Sequence, residues 1–383
     1  MGVVPDGDLD ADSSHRWLSR RTVAPIPERV KSLIPREGRE GVRVVLIGGG
    51  VQPIPPTGYG AIERILADFQ GALTAAGHSA VVVNRVRHRR MRDEYPFALE
   101  LPGLLRHLDY DVLHANTPVV GNRLAWSGFP FVYTSHSRHW FFREGWTHRW
   151  GYWLERRAVR RAKAVVALTE PLARTMRATV PSPQPLPISV IPFGVDSERF
   201  APDWSRRDGT RALGVGVVLP FKRWDLAARA LRGTGLRLSI AGPLPSPDYA
   251  AAVRAAGDSV ELLGEVEDTT LRRLYAESDV LLHPSAVEIL SATVLQGLAA
   301  GLPVLGGSAL ESVVENGRTG WSCPDSDPAQ FVDTLRSRAT QLRTEETVRR
   351  TMGEAARSVA LDRYAWPKVV ESHLAVYRSL AGG

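Results

Sequence analysis

The chain has 383 residues, 44% of them hydrophobic and 23% charged, and a formal net charge of +7. That is room for two domains with full cores and an ordinary globular balance. The single cysteine, Cys323, excludes an internal disulfide and a multi-cysteine metal site, and no apolar run approaches the roughly 18 residues that a membrane-spanning helix needs.

Residues 1–40 mix Asp, Ser, Arg and Pro without an apolar period and lack the core of a signal peptide, which predicts a flexible leader and a cytoplasmic protein. Val42-Arg-Val-Val-Leu-Ile47 then reads as a strand buried on both faces. The glycine-rich loop that follows leads through Gly58 and Gly60 into a helix with Ile62, Ile65, Leu66 and Phe69 at helical spacing. No glycine stands three residues beyond Gly50, so the loop is not the tight dinucleotide turn. Its glycines would let backbone N–H groups approach an anion, or they form a surface turn with no ligand.

Further strands are predicted over 79–84, 111–115 and 131–135, with His136 just past the end of the last. A lone His is more often structural than catalytic. Between Arg138 and Lys163 the chain is both aromatic and basic, and Trp146, Trp150 and Trp153 share one helical face. That face packs on the sheet, cages a quaternary ammonium whose acid group the arginines hold, or rests on an anionic membrane. The run from Arg85 to Arg92 adds positive charge in the same half. Lysine occurs only at 31, 163, 222 and 368, so the basic excess reads as coding bias; without zinc spacing or a nucleic-acid-binding signature it predicts no nucleic-acid partner.

Strands over 164–169 and 188–193 complete the first series, and a polar stretch to Thr210 serves as linker. A second alternating series follows: strands at 214–219, 236–242, 260–264, 279–283 and 303–305. Lys222 and Arg223 come just after the first of these. After the fourth, Glu288 sits in a loop, Ser291 stands at the N-cap position, and Val294, Leu295, Leu298 and Leu302 share a helical face that Gly301 and Pro303 bring to a stop. Alternation of this kind predicts α/β architecture with two doubly wound parallel sheets and ligands at the strands' carboxyl ends.

Five stretches carry a family resemblance: Gly58-Tyr-Gly60, Pro192-Phe-Gly-Val-Asp-Ser-Glu-Arg-Phe200, Lys222-Arg-Trp-Asp225, Gly264-Glu-Val-Glu-Asp268, and Glu288 through Ala299-Ala-Gly-Leu-Pro-Val304. Their order resembles the retaining GT-B glycosyltransferases of family four. The resemblance implies two Rossmann-like domains facing each other across a cleft: 41–195 with the returning helix 363–383 for the acceptor, and 196–362 for a nucleotide-sugar donor. It implies Glu288, His136 and Lys222 as catalytic groups. Donor binding falls to Gly58, Gly60, Lys222, Arg223, Glu265, Val266, Glu288, Leu290, Ser291 and Gln296. Tyr59, Arg138, His139, Trp140 and Arg143 are candidates for the acceptor, expected to be small and anionic or zwitterionic. No metal and no cofactor are expected.

Four positions depart from the family pattern. Val217 replaces an arginine that holds the donor diphosphate, Gln296 replaces the second of two glutamates, and Ser291 and Ala61 replace glycines. Arg223 is the nearest substitute for the missing arginine. These departures keep other readings open: a carbohydrate-binding homologue without turnover, a nucleotide-sugar epimerase, or a membrane-surface enzyme with a lipid acceptor.

Overall fold

A computed structural model describes residues 41–56, 60–86, 94–136, 138–141 and 146–381. The leader and most of the 85–92 basic run lie outside that set. The chain forms two six-stranded parallel sheets.

The first sheet is built from β1 (Arg43–Ile47), β2 (Ser79–Val83), β3 (Val112–Ala115), β4 (Val132–Ser135), β5 (Ala164–Ala167) and β6 (Ile188–Val190), in the order β2-β1-β3-β4-β5-β6. The crossovers are α1 (Ala61–Ala75), α2 (Glu94–Leu105), α3 (Pro118–Trp126), α4 (Trp146–Arg161) and α5 (Glu170–Thr179). Strand order reverses between β1 and β3, so a crevice opens at their carboxyl ends. Thr117 and Thr169 cap α3 and α5 by accepting from Val120 N and Leu172 N, each followed closely by a proline.

The second sheet contains β7 (Arg211–Val215), β8 (Arg237–Ala241), β9 (Val260–Gly264), β10 (Val280–His283), β11 (Val304–Gly307) and β12 (Gly320–Cys323), in the order β12-β11-β10-β7-β8-β9. Its helices are α6 (Trp224–Leu231), α7 (Pro247–Ala256), α8 (Asp268–Glu277), α9 (Ala292–Ala299), α10 (Pro328–Thr344) and α11 (Glu346–Val359). Here the reversal falls between β7 and β10. The sequence pattern does not announce β12, because Gly320-Trp-Ser-Cys323 has no β-branched run; pairing with β11 makes it a strand. Strand β7 also begins three residues before the apolar run at Gly214, since Arg211 and Ala212 pair with β8.

The last helix, α12 (Trp366–Ala381), returns to the first domain. Trp366, Val369, Val370, Leu374 and Tyr377 are buried there, each stabilising by about 2 kcal/mol as an upper bound. The Trp366 ring stacks on Phe69 of α1, 5.7 Å between centroids, and Tyr377 Oη lies 2.6 Å from Nδ1 of the buried His114 on β3. Gly194, in the crossover between domains, sits under the Trp366 ring, where a Cβ would come within 2.3 Å.

Candidate functional site

The site forms where the second sheet reverses. Strand β10 ends at His283, which is 1% exposed, and the loop after it turns Glu288 back over the strand end. Oε1 of Glu288 lies 3.0 Å from His283 Nε2 and 2.5 Å from Lys222 Nζ. Lys222 arrives from the loop after β7, on the other side of the reversal, and is held by a short turn (Pro220–Lys222) and by Phe221, whose carbonyl accepts from Ala286 N at 3.2 Å. Burial alone pushes the Glu288 carboxyl up, but the hydrogen bond from His283 and the charge and hydrogen bond of Lys222 outweigh it and hold it well below the usual range. Burial lowers His283 in turn, so it stands as a neutral donor to an ionised carboxylate.

Helix α9 starts beside this pair. Ser291 occupies its N-cap position, yet its hydroxyl makes no capping bond, so the first N–H groups of α9 have no side-chain acceptor there. The helix stops as its sequence demands. Gly301 adopts φ 65°, Gly301 N donates to Leu298 O, and Leu302 N donates to Gly297 O, which is a Schellman closure.

These groups line a cavity of about 660 Å³ between the domains, ample for a nucleotide sugar. The second domain contributes Gly216, Lys222, Gly242, Glu265, Val266, Asp268, Glu288, Leu290, Ser291, Thr293 and Gln296. Gly216 and Gly242 approach so closely that a Cβ on Gly242 would fall 2.2 Å from Gly216 O, which opens the floor beneath the strand ends. From the first domain come Gly60 and, from α1, Arg64, Ile65 and Asp68, and from the crossover Phe193, Asp196 and Arg199. The lining acids outnumber its three cations, Arg64, Arg199 and Lys222, so the net charge of the lining does not favour an anion and any attraction would have to come from local groups. Arg199 is already ion-paired with Asp268 and Lys222 with Glu288. The Arg64 backbone N–H donates to Gly60 O, but its guanidinium has no ion pair or hydrogen bond among the described residues, and Asp68 one turn on feels its charge.

The structure thus gathers Gly60, Lys222, Glu265, Val266, Glu288, Leu290, Ser291 and Gln296 around one space. Other candidates from the sequence lie elsewhere. Arg223 turns away: it adopts φ 54°, and its guanidinium pairs with Asp325 at 2.8 Å. His136 stays at the end of β4 outside the cavity lining, its Nε2 3.3 Å from Asn116 Oδ1. Because the Asn116 amide nitrogen donates to Ile47 O and His114 O, its oxygen is the acceptor and His136 carries its proton on Nε2. Burial, with His373 adding to it, pulls the His136 imidazole down to about 4, so it is neutral at pH 7.

Trp140 is a correction to the acceptor set. It is 2% exposed, and its indole N–H points inward to Ser135 Oγ at 3.0 Å and Glu155 Oε2 at 3.2 Å, so a wholly buried carboxylate anchors it. His139 packs against α4 at Gly151, with His148 Nδ1 3.3 Å from its own Nδ1. Arg138 begins the turn Arg138–Trp140. Gly58, Tyr59 and Arg143 lie outside the described residues.

Gln296 also differs from expectation. The Tyr275 hydroxyl, fully buried, lies 3.0 Å from Gln296 Oε1 and 3.2 Å from Thr293 O, so the amide oxygen expected to face a ribose hydroxyl already has a protein neighbour. Sequence reasoning passed over His283, Arg64 and Arg199. For His283 the signal was a polar residue ending an apolar strand five residues before Glu288; for Arg64 it was a cation one turn into the helix after Gly60.

Two opposed Rossmann-like domains with a site at the second reversal define a GT-B protein. The family model "Glycosyltransferase Family 4" matches residues 29–199 and "Glycosyl transferases group 1" matches 217–340. The chain belongs to the family-four glycosyltransferases, and it is a transferase enzyme. It is 25% identical to the alpha-maltose-1-phosphate synthase of Mycobacterium tuberculosis over 347 residues, 82% of this chain and 85% of that protein. It is 29% identical to the D-inositol 3-phosphate glycosyltransferase of Kribbella flavida over 254 residues, 59% of this chain and 58% of that protein. The solved structure of Anabaena HepE with UDP-glucose superposes with a TM-score of 0.70 at 16% identity, over 88% of this chain and 100% of that one.

Proposed function

We propose that the enzyme moves a sugar from a nucleoside-diphosphate donor to a small anionic acceptor with retention at the anomeric carbon. The observation that carries this is the convergence of Lys222, Glu288 and the uncapped start of α9 on one side of the cavity, with Arg64 on the other. Lys222 and the α9 N–H groups suit a diphosphate whose negative charge grows as the anomeric C–O bond breaks. Glu288, kept ionised by His283 and Lys222, accepts from donor-sugar hydroxyls and orients the ring. Electrons of the breaking bond pass to the leaving diphosphate. The acceptor hydroxyl oxygen bonds to the same face of the anomeric carbon, and its proton goes to a leaving phosphate oxygen.

Arg64 takes the part of the arginine absent at Val217, in preference to Arg223, which is committed to Asp325. The acceptor side is the crevice of the first sheet near Gly49, Glu94, Thr117 and His136. An anionic acceptor is supported by the names of two relatives, one a synthase of a sugar phosphate and the other an inositol-phosphate glycosyltransferase. The UDP-glucose bound to HepE supports a uridine donor. Neither a metal nor a cofactor has a part in this scheme. Incubation with UDP-, GDP- and dTDP-sugars and a panel of phosphorylated polyols and hydroxy acids, read by NMR, tests it: transfer with an axial-to-axial or equatorial-to-equatorial outcome is expected. Inverted product, or no nucleotide binding at millimolar donor, would overturn it.

A further inference from the structure

The outer face of the first domain carries a second surface, away from the cavity. Helix α4 buries Gly151, Leu154, Glu155, Ala158 and Val159. Its approach to α3 is close: a Cβ on Gly121 would come 2.9 Å from that of Ala158, and Asn122 Nδ2 donates to Leu154 O at 2.6 Å. The opposite side of α4 shows Trp150 and Trp153, 45% and 49% exposed, stacked with centroids 5.0 Å apart. Trp150 Nε1 donates to the Tyr95 hydroxyl of α2 at 3.1 Å. Tyr95 and Leu99, one turn apart, are 47% and 66% exposed, Arg123 of α3 reaches the Leu99 carbonyl at 3.5 Å, and Trp126, a turn beyond Arg123, is 76% exposed. Five large apolar side chains on three neighbouring helices therefore remain in water, each withholding a sizeable area from burial.

On α4 the exposed charges among the described residues have one sign, and Glu100 beside Leu99 on α2 is ion-paired with Arg85. Arg149, Arg160 and Arg161 are exposed on α4, Arg156 and Arg157 half-buried, and the one acid of that helix, Glu155, is fully buried. Arg157 lies over the Trp153 ring, 5.8 Å from its centroid. Two copies of this face would oppose like charges, which disfavours self-association. Indole and phenol rings with polar edges at the surface, flanked by guanidinium groups, match the headgroup layer of a bilayer, and their spread over three helices suits a planar surface more than a single peptide.

We propose that this face docks the enzyme on an anionic lipid bilayer, with Trp150, Trp153 and Tyr95 among the headgroups and the α4 arginines against lipid phosphates. The proposal does not depend on the donor or acceptor assigned above. It is tested by flotation with vesicles of phosphatidylcholine alone and with about one-third phosphatidylglycerol, at low and high salt. Binding only to the anionic vesicles, reversed by salt, is expected. The double variants Trp150→Ser/Trp153→Ser and Arg157→Glu/Arg160→Glu should each lower the bound fraction at least about fivefold, with nucleotide binding and melting temperature unchanged. Absence of binding to anionic vesicles, equal binding of the variants, or lipid-free dimers that the Trp variants abolish would overturn it; the last would assign the face to a second copy.

Discussion

Lys222 and Glu288, 66 residues apart in the chain, meet at 2.5 Å across the reversal of the second sheet, and His283 approaches the same carboxylate oxygen. The pair joins the loop that should hold the phosphate to the loop that should hold the sugar. Both side chains are mostly buried, 12% and 17% exposed, so each leaves the other poorly solvated when removed.

Removing either partner should therefore cost stability and activity together. Lys222→Ala and Glu288→Ala are each expected to lower kcat/KM at least roughly tenfold, about 1.4 kcal/mol of transition-state binding. In a double-mutant cycle the combined loss should fall short of the sum, because the second deletion removes a group already unpaired. Additive losses would show that the two act separately.

Arg64 and Arg223 make opposite predictions about what replaces the arginine missing at Val217. Loss of a charge-assisted bond to phosphate is worth roughly 1.5–3 kcal/mol, so Arg64→Ala should weaken donor binding at least about tenfold. Arg223→Ala, whose partner is Asp325, should leave donor affinity within about twofold. Calorimetry with the nucleotide sugar decides between them.

Acid should loosen the junction of α12 with the first domain. His373 is buried against Phe69, 4.6 Å between ring centroids, and burial pulls it down to about 4. A histidine with a lowered folded pKa binds its proton more readily when unfolded, so stability falls as pH drops from about 6.5 towards 4 and levels off below. The cost from this one group is about 2 kcal/mol at pH 5. His373→Phe should flatten the fall in melting temperature between pH 7 and pH 5.

Glu94 should do the reverse. At the start of α2, with Gly49 and Thr117 close by and its Oε1 buried without a hydrogen-bond partner among the described residues, it is pushed up to about 7 by burial, against a hydrogen bond with Thr117. A carboxyl raised in the folded state favours folding while protonated, and that contribution is lost as pH rises from about 4.3 through 7. Glu94→Gln should raise the melting temperature at pH 8 and leave it nearly unchanged at pH 4. An equal shift at both would show that burial of its charge is not the cause.

Gln296→Glu would return a charge to the cavity. With Tyr275 able to donate to the new carboxylate and Arg64 and Arg199 on the same lining, nucleotide binding should tighten a few-fold, since a charged acceptor makes the stronger bond to a hydroxyl. Weaker binding would indicate that the excess of lining acids dominates.

What the chain alone determined was local. Short apolar runs mark five of the six strands of the second sheet and all six of the first, and Ser291 with Gly301 marks both ends of α9, because caps and apolar runs are written in neighbouring residues. The family motifs likewise point to Lys222, Glu288 and Gln296. Tertiary structure alone decided which way side chains face once strands 60 and more residues apart are brought together. It turned Arg223 to Asp325, sank Trp140 onto Glu155, set His283 beneath Glu288, put Arg64 across the cavity and left Trp150 and Trp153 in water. Helical spacing places the two tryptophans on one face, but whether that face meets the sheet or the solvent depends on where α3 and the first sheet lie, and no short stretch of sequence holds that information.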